Sequence, residues 1–469
     1  MGAARIIFPR SDVAKEFRAT AHKALDEWID ELEESFQSNP APNVMELSEI
    51  FQQSRAKLLA PSMKASIERL FPSFLEQEWV QCPRCDRQLR RKRFESKQVS
   101  TLQGSFVLKR PYFYCAHCRL GFYPLDEIVQ LAEELHQHDI QKRISKLAAN
   151  VPFEEAAKTF EELTGMKVGN HFAHDTINAV AESATVENVM PDVEEINRRI
   201  ESATGPQGEL PVLVVACDGA HAPTRPRAAR SAKRGKGSWQ EAKGLRIYLL
   251  DPSERIHHVA SWHQIGDHEE LGKALEVAAQ RIDQTRVRVV LLGDGAGWVW
   301  NTMLKHFPQG AQILDFYHVF EHLHVVANLQ FRDDAEWGHE WAEATMIRLC
   351  EGHYKRVIAS LNRMNACDEQ VEQEIEKLIG YLNNHGPKMN YGEALARGYP
   401  IGSGGIESAN KYICHTRLKR SGAWWVNEMA NNVLRIRCSI YNQTFDKAFH
   451  DYMRSRFCEK EVSKHPLNE

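Results

Sequence analysis

The chain predicts a multidomain protein of mixed α+β class, and three observations carry that expectation. Two apolar segments, residues 210–219 and 287–295, have the length and β-branched content of buried strands, and each closes on Asp-Gly. Two Cys-x-x-Cys pairs, Cys82/Cys85 and Cys115/Cys118, bracket a segment whose side chains alternate with the period of a strand. Long stretches elsewhere, residues 12–75 and 319–385 above all, carry apolar residues at helical spacing. At 469 residues the chain is too long for one ordinary core, so two to four domains are expected.

Composition narrows the class. Hydrophobic residues at 43% and charged residues at 26% are normal for a soluble globular protein. No run approaches the roughly 18 consecutive apolar residues of a membrane span, and residues 1–10 lack the apolar stretch of a signal peptide, so a cytoplasmic protein without membrane contact is expected. The net charge of -4 argues by itself against a nucleic-acid partner, but it is a sum over an uneven distribution. Acidic residues gather at 26–34, 154–162 and 192–201, and basic ones at 84–93, 225–236 and 411–420. Of the ten cysteines, four form the two Cys-x-x-Cys pairs, which in a cytosolic setting read as metal ligands rather than disulfides.

Taken in order, residues 1–78 predict a helical region, with Phe17, Ala21, Ala24, Leu25, Trp28 and Leu32 near helical spacing and a break at 38–43. Residues 79–125 predict a zinc ribbon, in which a hairpin turning at Leu102-Gln103-Gly104 joins the two cysteine pairs. Its second segment presents Phe106, Leu108, Arg110, Tyr112 and Tyr114 on one face. Cys82, Cys85, Cys115 and Cys118 would close a tetrahedral four-thiolate site holding a structural Zn2+ ion, with no open position for catalysis. Arg90, Arg91 and Arg93 on the ribbon suit either DNA-backbone contact or a solvated basic face. Residues 126–203 predict helices. Among them 153–163, a Thr164-Gly165 turn and a second helix over 171–184 resemble a helix-turn-helix packed through Ala156, Ala157, Leu163 and Val168, a pattern any helical hairpin shares.

Residues 204–318 open with a Gly- and Pro-containing linker and a strand ending at Asp218. A basic loop with Arg225, Arg227, Arg230, Lys233, Arg234 and Lys236 follows, then strands over 241–251 and 255–263, a helix over 269–282 and the strand ending at Asp294. A helix over 297–306 and a short strand over 311–316 complete this part. Residues 319–400 predict a helical insertion with Trp337, Trp341, Met346, Leu349, Ile358, Leu361, Ile375 and Leu378 as core candidates. In the last segment, 401–469, Glu407 opens a helix after the glycine-rich 402–405, running toward Trp424 and past a second basic set, Lys411, Arg417, Lys419 and Arg420.

This element order is that of an RNase H-like core interrupted by an all-helical insertion before its last acidic helix. A strand that buries its side chains and then delivers a carboxylate is how α/β sheets build metal sites. Asp218 and Asp294 are therefore candidate ligands, with Glu407 as the third. Two Mg2+ (or Mn2+) ions about 4 Å apart would require such hard oxygen donors, Asp218 bridging both, Asp294 holding one and Glu407 the other. Each residue has a plainer reading, since Asp before Gly is a common turn pair and Glu407 suits a helix N-terminus.

The combination Ala216-Cys-Asp-Gly-Ala-His-Ala-Pro-Thr-Arg, Leu292-Gly-Asp-Gly-Ala-Gly-Trp, Asp315-Phe-Tyr-His-Val and Gly402-Ser-Gly-Gly-Ile-Glu-Ser-Ala follows a ribbon ending in Gly121-Phe-Tyr-Pro-Leu-Asp. Over roughly residues 80–440 it resembles the bacterial insertion-sequence DDE transposases of the ISKra family, which are similar to the Mutator-like group. The resemblance implies Asp218, Asp294 and Glu407 as the catalytic triad. It also maps an Asp-x-x-His element onto Asp315 and His318, near the active site or in contact with the DNA end. It implies a DNA strand transferase acting on double-stranded DNA at terminal inverted repeats and working as a homodimer. A nuclease or resolvase of the same fold, and a domesticated zinc-ribbon DNA-binding protein, are the competing expectations.

Overall fold

The structure, a computed structural model, describes residues 11–227 and 235–462. The candidate DNA contacts Arg230, Lys233 and Arg234 lie outside the described residues. The chain forms two compact units, residues 1–183 with 449–469, and residues 184–448.

In the first unit, α1 (Ser11–Ser38) and α2 (Val44–Leu70) form an antiparallel pair. Asn43 explains the break between them. Its side chain accepts from the Glu46 N–H while Glu46 reaches back to the Asn43 N–H, a capping box that starts α2. Trp28 packs edge-on to Phe51 and donates to Ser54 Oγ at 2.8 Å. The ribbon follows: β1 (Trp79–Gln81) pairs with β2 (Gln88–Arg90), and β3 (Arg93–Thr101), β4 (Gly104–Cys115) and β5 (Leu120–Phe122) form an antiparallel sheet. Gly104, with φ of 110°, lets the β3–β4 turn lie on α2, where a Cβ would stand 2.9 Å from Ala56 Cβ and 3.0 Å from Ala60 Cβ.

The inward face of β4 differs from the expected alternation. Phe106, Leu108 and Arg110 are buried on one face, and then Pro111, Phe113 and Cys115 on the other, leaving Tyr114 exposed. The strand serves two cores in turn. Its first half packs with Ala60, Val99, Leu125 and Leu131, and its end enters the cysteine cluster with Leu120.

Helices α3 (His138–Asn150), α4 (Phe153–Thr164) and α5 (Asn170–Ser183) complete this unit with the end of the C-terminal helix. Gly165 caps α4 in the left-handed conformation, and Ala156, Ala157 and Val168 are buried as expected. Leu163 is not: it faces solvent at 68% exposure. The second helix of this pair, α5, carries Asp175 and Glu182 and no Lys or Arg.

The second unit begins with α6 (Val193–Ala203) and holds a five-stranded sheet: β6 (Val212–Thr224), β7 (Ser238–Leu250), β8 (Ile256–Ile265), β9 (Arg288–Gly293) and β10 (Ala311–Leu314). The order is β10-β9-β6-β7-β8. Strand β7 runs antiparallel to both β6 and β8, while β9 and β10 run parallel to β6. Leu213, Val214, Val215, Ala216, Val290 and Leu291 are fully buried, which is why these strands read as unbroken apolar runs.

Helix α7 (His268–Arg281) joins β8 to β9, and α8 (Gly297–His306) joins β9 to β10. The helical block follows as α9 (Phe316–Gln330), α10 (Ala335–Cys350), α11 (Tyr354–Leu361) and α12 (Glu369–His385). Met346, Leu349, Leu361, Ile375 and Leu378 are core residues there. Trp337 is 54% exposed, because its position places it beside Phe331 at the block's surface. The helix expected to run from Glu407 to Trp424 is instead α13 (Gly404–Ala409), a π turn over Asn410–His415 and one further turn to Leu418. After a loop come α14 (Asn427–Tyr441) and α15 (Phe445–Val462). No helix among the described residues is long and apolar enough to cross a membrane.

Candidate functional site

Asp218 does not end its strand. It sits in the middle of β6, whose antiparallel pairing with β7 continues to Thr224. The open edge comes from the other neighbour: the parallel pairing with β9 stops at Ala216 opposite Leu292. Asp294 follows the end of β9 directly, so both carboxylates lie where the parallel side of the sheet gives out. Glu407 arrives on α13. The three line one cleft of about 240 Å³ with Asp315, His318, Glu321 and Ser403.

Each carboxylate has a local hold. The Gly219 N–H donates to Asp218 Oδ1 at 2.7 Å, and Asn410 Nδ2 donates to Oδ2 at 2.7 Å. The Ala296 N–H donates to Asp294 Oδ1 at 3.0 Å, and the Ser403 hydroxyl donates to Glu407 Oε1 at 2.7 Å. Burial pushes the Asp218 carboxyl up to about 6; the Gly219 N–H opposes that rise, and the charges of Asp294 and Glu407 add to it. A half-buried carboxyl that shares a cleft with two others suits cation binding: a divalent ion would offset both its burial and their repulsion. Among the described residues only the four cysteines bring their ligand atoms all within 4.8 Å of one another. The carboxylates therefore share a cleft without meeting at single-ion spacing.

Asp315 is buried and acts as a brace. Its Oδ1 accepts from the N–H groups of Tyr317 at 2.7 Å and His318 at 3.3 Å, capping α9, and its Oδ2 accepts from the Ser403 N–H at 3.0 Å. It thus fixes the segment that leads into Glu407. Asp315, expected near the active site as an auxiliary residue or a DNA-end contact, lines the cleft with both carboxylate oxygens engaged by backbone N–H groups and only 3% of its surface exposed. His318 is exposed at the cleft, with its ring 3.8 Å from Glu321.

Two residues that sequence reasoning passed over lie behind Asp218. Asn410 is buried in the π turn, and its Oδ1 accepts from Nε2 of the fully buried His263 at 2.8 Å. Burial holds the His263 ring down to about 4, against the pull of the Asn410 hydrogen bond, so it is neutral at pH 7. The available signal was Gly244, a glycine inside an apolar strand, which marks a close approach.

In the ribbon, Cys82 and Cys118 have sulfurs 3.9 Å apart, and Cys85 and Cys115 3.7 Å. A tetrahedron of zinc–sulfur bonds has edges of about 3.8 Å, so the four fit that ion. Asp86 and Arg119, each following the second cysteine of its pair, have φ of 54° and 51°. These left-handed residues fold both turns so that the thiols converge. Cys82, Cys115 and Cys118 are buried, and the Cys118 N–H points at Cys115 Sγ at 3.5 Å, lowering that thiol to about 7.

The basic residues divide by what they already touch. Lys236, Lys411 and Lys419 are exposed, the last 5.9 Å from the Trp239 ring. Arg225 and Arg420 are half-buried. Arg227 reaches Glu428 at 3.4 Å, Arg93 pairs with Glu95, and Arg91 donates to the carbonyls of Glu76 and Gln77. Arg90 is exposed beside Trp79. Arg417 is 3% exposed and lies over Trp425 at 4.7 Å, which removes it from the candidate DNA contacts: its place on the last helical turn faces the core.

Fold and site together define a class: a mixed α+β protein that gathers carboxylates where a sheet opens and holds a separate four-thiolate cluster compatible with zinc. Within that class the chain belongs to UPF0236, described as an uncharacterised protein family, whose profile matches residues 40–448. A relative in Streptococcus gallolyticus, the "UPF0236 protein in vanSb 3′region", is 22% identical over 428 residues, covering 89% of this chain and 85% of that protein. Among solved structures, the Drosophila P element transposase strand transfer complex aligns with 68% of this chain and 80% of that chain, at 9% identity and a TM-score of 0.23. So loose a superposition carries no statement about fold.

Proposed function

We propose that the chain is a DDE transposase of the ISKra type, with an RNase H-like catalytic core that cleaves and joins DNA at terminal inverted repeats. One observation carries the reading: Asp218, Asp294 and Glu407, from a central strand, the end of its parallel neighbour and the first helix after a helical insertion, line a single cleft. The strand order, three antiparallel strands followed by two parallel to the first, supports the RNase H-like assignment. The motifs shared with ISKra and Mutator-like transposases support the chemistry, and the exposed Lys236, Lys411 and Lys419 support a DNA substrate.

The chemistry is phosphoryl transfer. The oxygen of a water or of a 3′-hydroxyl forms a bond to phosphorus, the bridging oxygen opposite departs, and the attacker's proton is released to solvent. When bound, two divalent cations supply the positive charge that such a displacement needs. Asp218, Asp294 and Glu407 would hold them. Ser403 keeps Glu407 facing the cleft, and Asp315 anchors the Ser403 backbone to the start of α9. The Gly219 and Ala296 N–H groups orient the carboxylates of Asp218 and Asp294. The cysteine cluster serves as a structural element of the ribbon and takes no part in the reaction. A homodimer handling both ends of an element completes the reading.

The test is incubation of the protein with labelled duplexes carrying the DNA that flanks its gene, in Mg2+ or Mn2+. Cleavage leaving a 3′-hydroxyl, followed by joining to a second duplex, is expected. Cleavage without any joined product would favour a nuclease of the same fold. No cleavage with either ion would contradict the proposal.

A further inference from the structure

Asp218, Gly244 and His263 stand side by side on three adjacent strands, since Asp218 pairs with Gly244 in the β6–β7 register and Gly244 with His263 in the β7–β8 register. Residues directly opposite in an antiparallel sheet project from the same face. Strands lie about 4.8 Å apart, so Asp218 and His263 are separated by about 10 Å at the backbone, too far to touch directly. The glycine between them leaves a slot, and the Asn410 side chain fills it. A Cβ at position 244 would stand 2.6 Å from Asn410 Oδ1 and 2.7 Å from His263 Nε2.

We propose that Asn410 is the positioning residue of Asp218, held in place by His263 through a slot that only glycine at 244 leaves open. This rests on the reading of Asp218 as a cation-holding carboxylate. The direction of the amide is chemically fixed. An ionised carboxylate only accepts, so Nδ2 faces Asp218 and Oδ1 faces His263, whose Nε2 must then carry the ring proton. His263 Nδ1 is buried with no hydrogen-bond partner among the described residues, as suits the nitrogen that carries no proton. With Gly219 donating to Oδ1 and Asn410 to Oδ2, each Asp218 oxygen is fixed by one donor and keeps a lone pair for the cleft. Asn410 lies three residues beyond Glu407 and begins the π turn, so one helical element both carries Glu407 and grips Asp218.

The test is Mn2+ binding by the full chain, followed by electron paramagnetic resonance, with thermal midpoints measured in parallel. Manganese is the probe because it prefers oxygen donors and leaves the thiolate cluster alone. Asp218→Asn should abolish binding at the cleft. Asn410→Ala should weaken it roughly 10-fold, as loss of a group that orients a ligand does, and Asn410→Asp should weaken it further by setting an acceptor against Asp218. Gly244→Ala, which keeps all three polar residues and forces them apart, should match Asn410→Ala and reports independently if that variant folds poorly. A merely structural role would instead lower the thermal midpoint of Asn410→Ala and leave its affinity for Mn2+ at the wild-type value. Wild-type affinity in both Asn410→Ala and Gly244→Ala, with binding lost in Asp218→Asn, would overturn the positioning role and leave the site reading intact. Unchanged binding in Asp218→Asn would overturn the site reading itself.

Discussion

The phenol of Tyr381, near the end of α12, donates a hydrogen bond to the backbone carbonyl of Asp294 at 3.1 Å. The next residue, Gly295, has φ of 109°, and a Cβ there would meet the Tyr381 ring at 3.2 Å and His385 Nε2 at 3.3 Å. His322 from α9 packs at a tilt against the same phenol with ring centroids 4.4 Å apart. The helical insertion therefore grips the Asp-Gly turn that presents the second carboxylate, and does not hang free of the site.

Tyr381→Phe should keep the ring packing and lose only the hydrogen bond, worth about 1 kcal/mol. Single-turnover cleavage should slow roughly fivefold while the thermal midpoint barely moves. An unchanged rate would show that the insertion does not set the Asp294 turn.

The cysteine cluster predicts one zinc per chain. Cys115→Ser should release it and expose the ribbon core of Leu120, Leu89 and Phe122 to protease, while the second unit, which contributes none of the four thiols, stays folded. Metal analysis with limited proteolysis checks this. A Cys115→Ser chain that keeps full zinc and resists protease would contradict it.

One fully buried histidine, His263, and one half-buried, His258, make stability fall in acid. Burial holds His258 down to about 3 and His263 to about 4, against 6.5 for a free ring. The unfolded chain takes up protons below about 6.5 and the native rings do not, so stability is whole above that pH and is lost as pH falls toward 4. For His263 the full loss is on the order of 3 kcal/mol. The thermal midpoint should drop between pH 7.5 and 5.0, and His263→Gln, which cannot titrate, should make that drop shallower. An equal drop in the variant would refute the assignment.

Charge and burial separate two neighbours on one short segment. Lys419→Glu should weaken binding to any duplex and reduce the slope of log affinity against log salt by about 1, as loss of one phosphate contact does. Arg417→Ala should lower the thermal midpoint and leave that slope alone, because its guanidinium lies over Trp425 in the interior. Salt titrations of binding on both variants distinguish the cases.

Much of this was legible because it is local. The Asn43 break, the Gly165 turn, the two cysteine knuckles and the apolar strands all follow from residues a few positions apart. What was hidden belongs to neighbours in space. Asp218 read as a strand end, yet its strand runs on; the end belongs to β9, which no property of residues 212–224 could reveal. Asn410 read as an ordinary helical residue, since a π turn has no clear signature of its own, and Arg417 read as part of a basic run because its burial depends on where Trp425 returns. On β4, the reversal of the buried face after Arg110 follows from two separate cores meeting one strand. Of the three carboxylates Glu407 had the weakest local signal, a glutamate at a helix start, and its neighbours in the cleft come from segments about 110 and 190 residues away.

If Asp218, Asp294 and Glu407 act as one catalytic triad, loss of the Glu407 charge alone stops the reaction. Glu407→Gln in the full chain keeps the size of the side chain and its Ser403 hydrogen bond while removing the charge. The measurement is cleavage and joining of a labelled element end in Mg2+, beside the affinity for that end. Both reactions should fall to background with affinity for DNA unchanged. A Glu407→Gln chain that cuts and joins at the parental rate would contradict it.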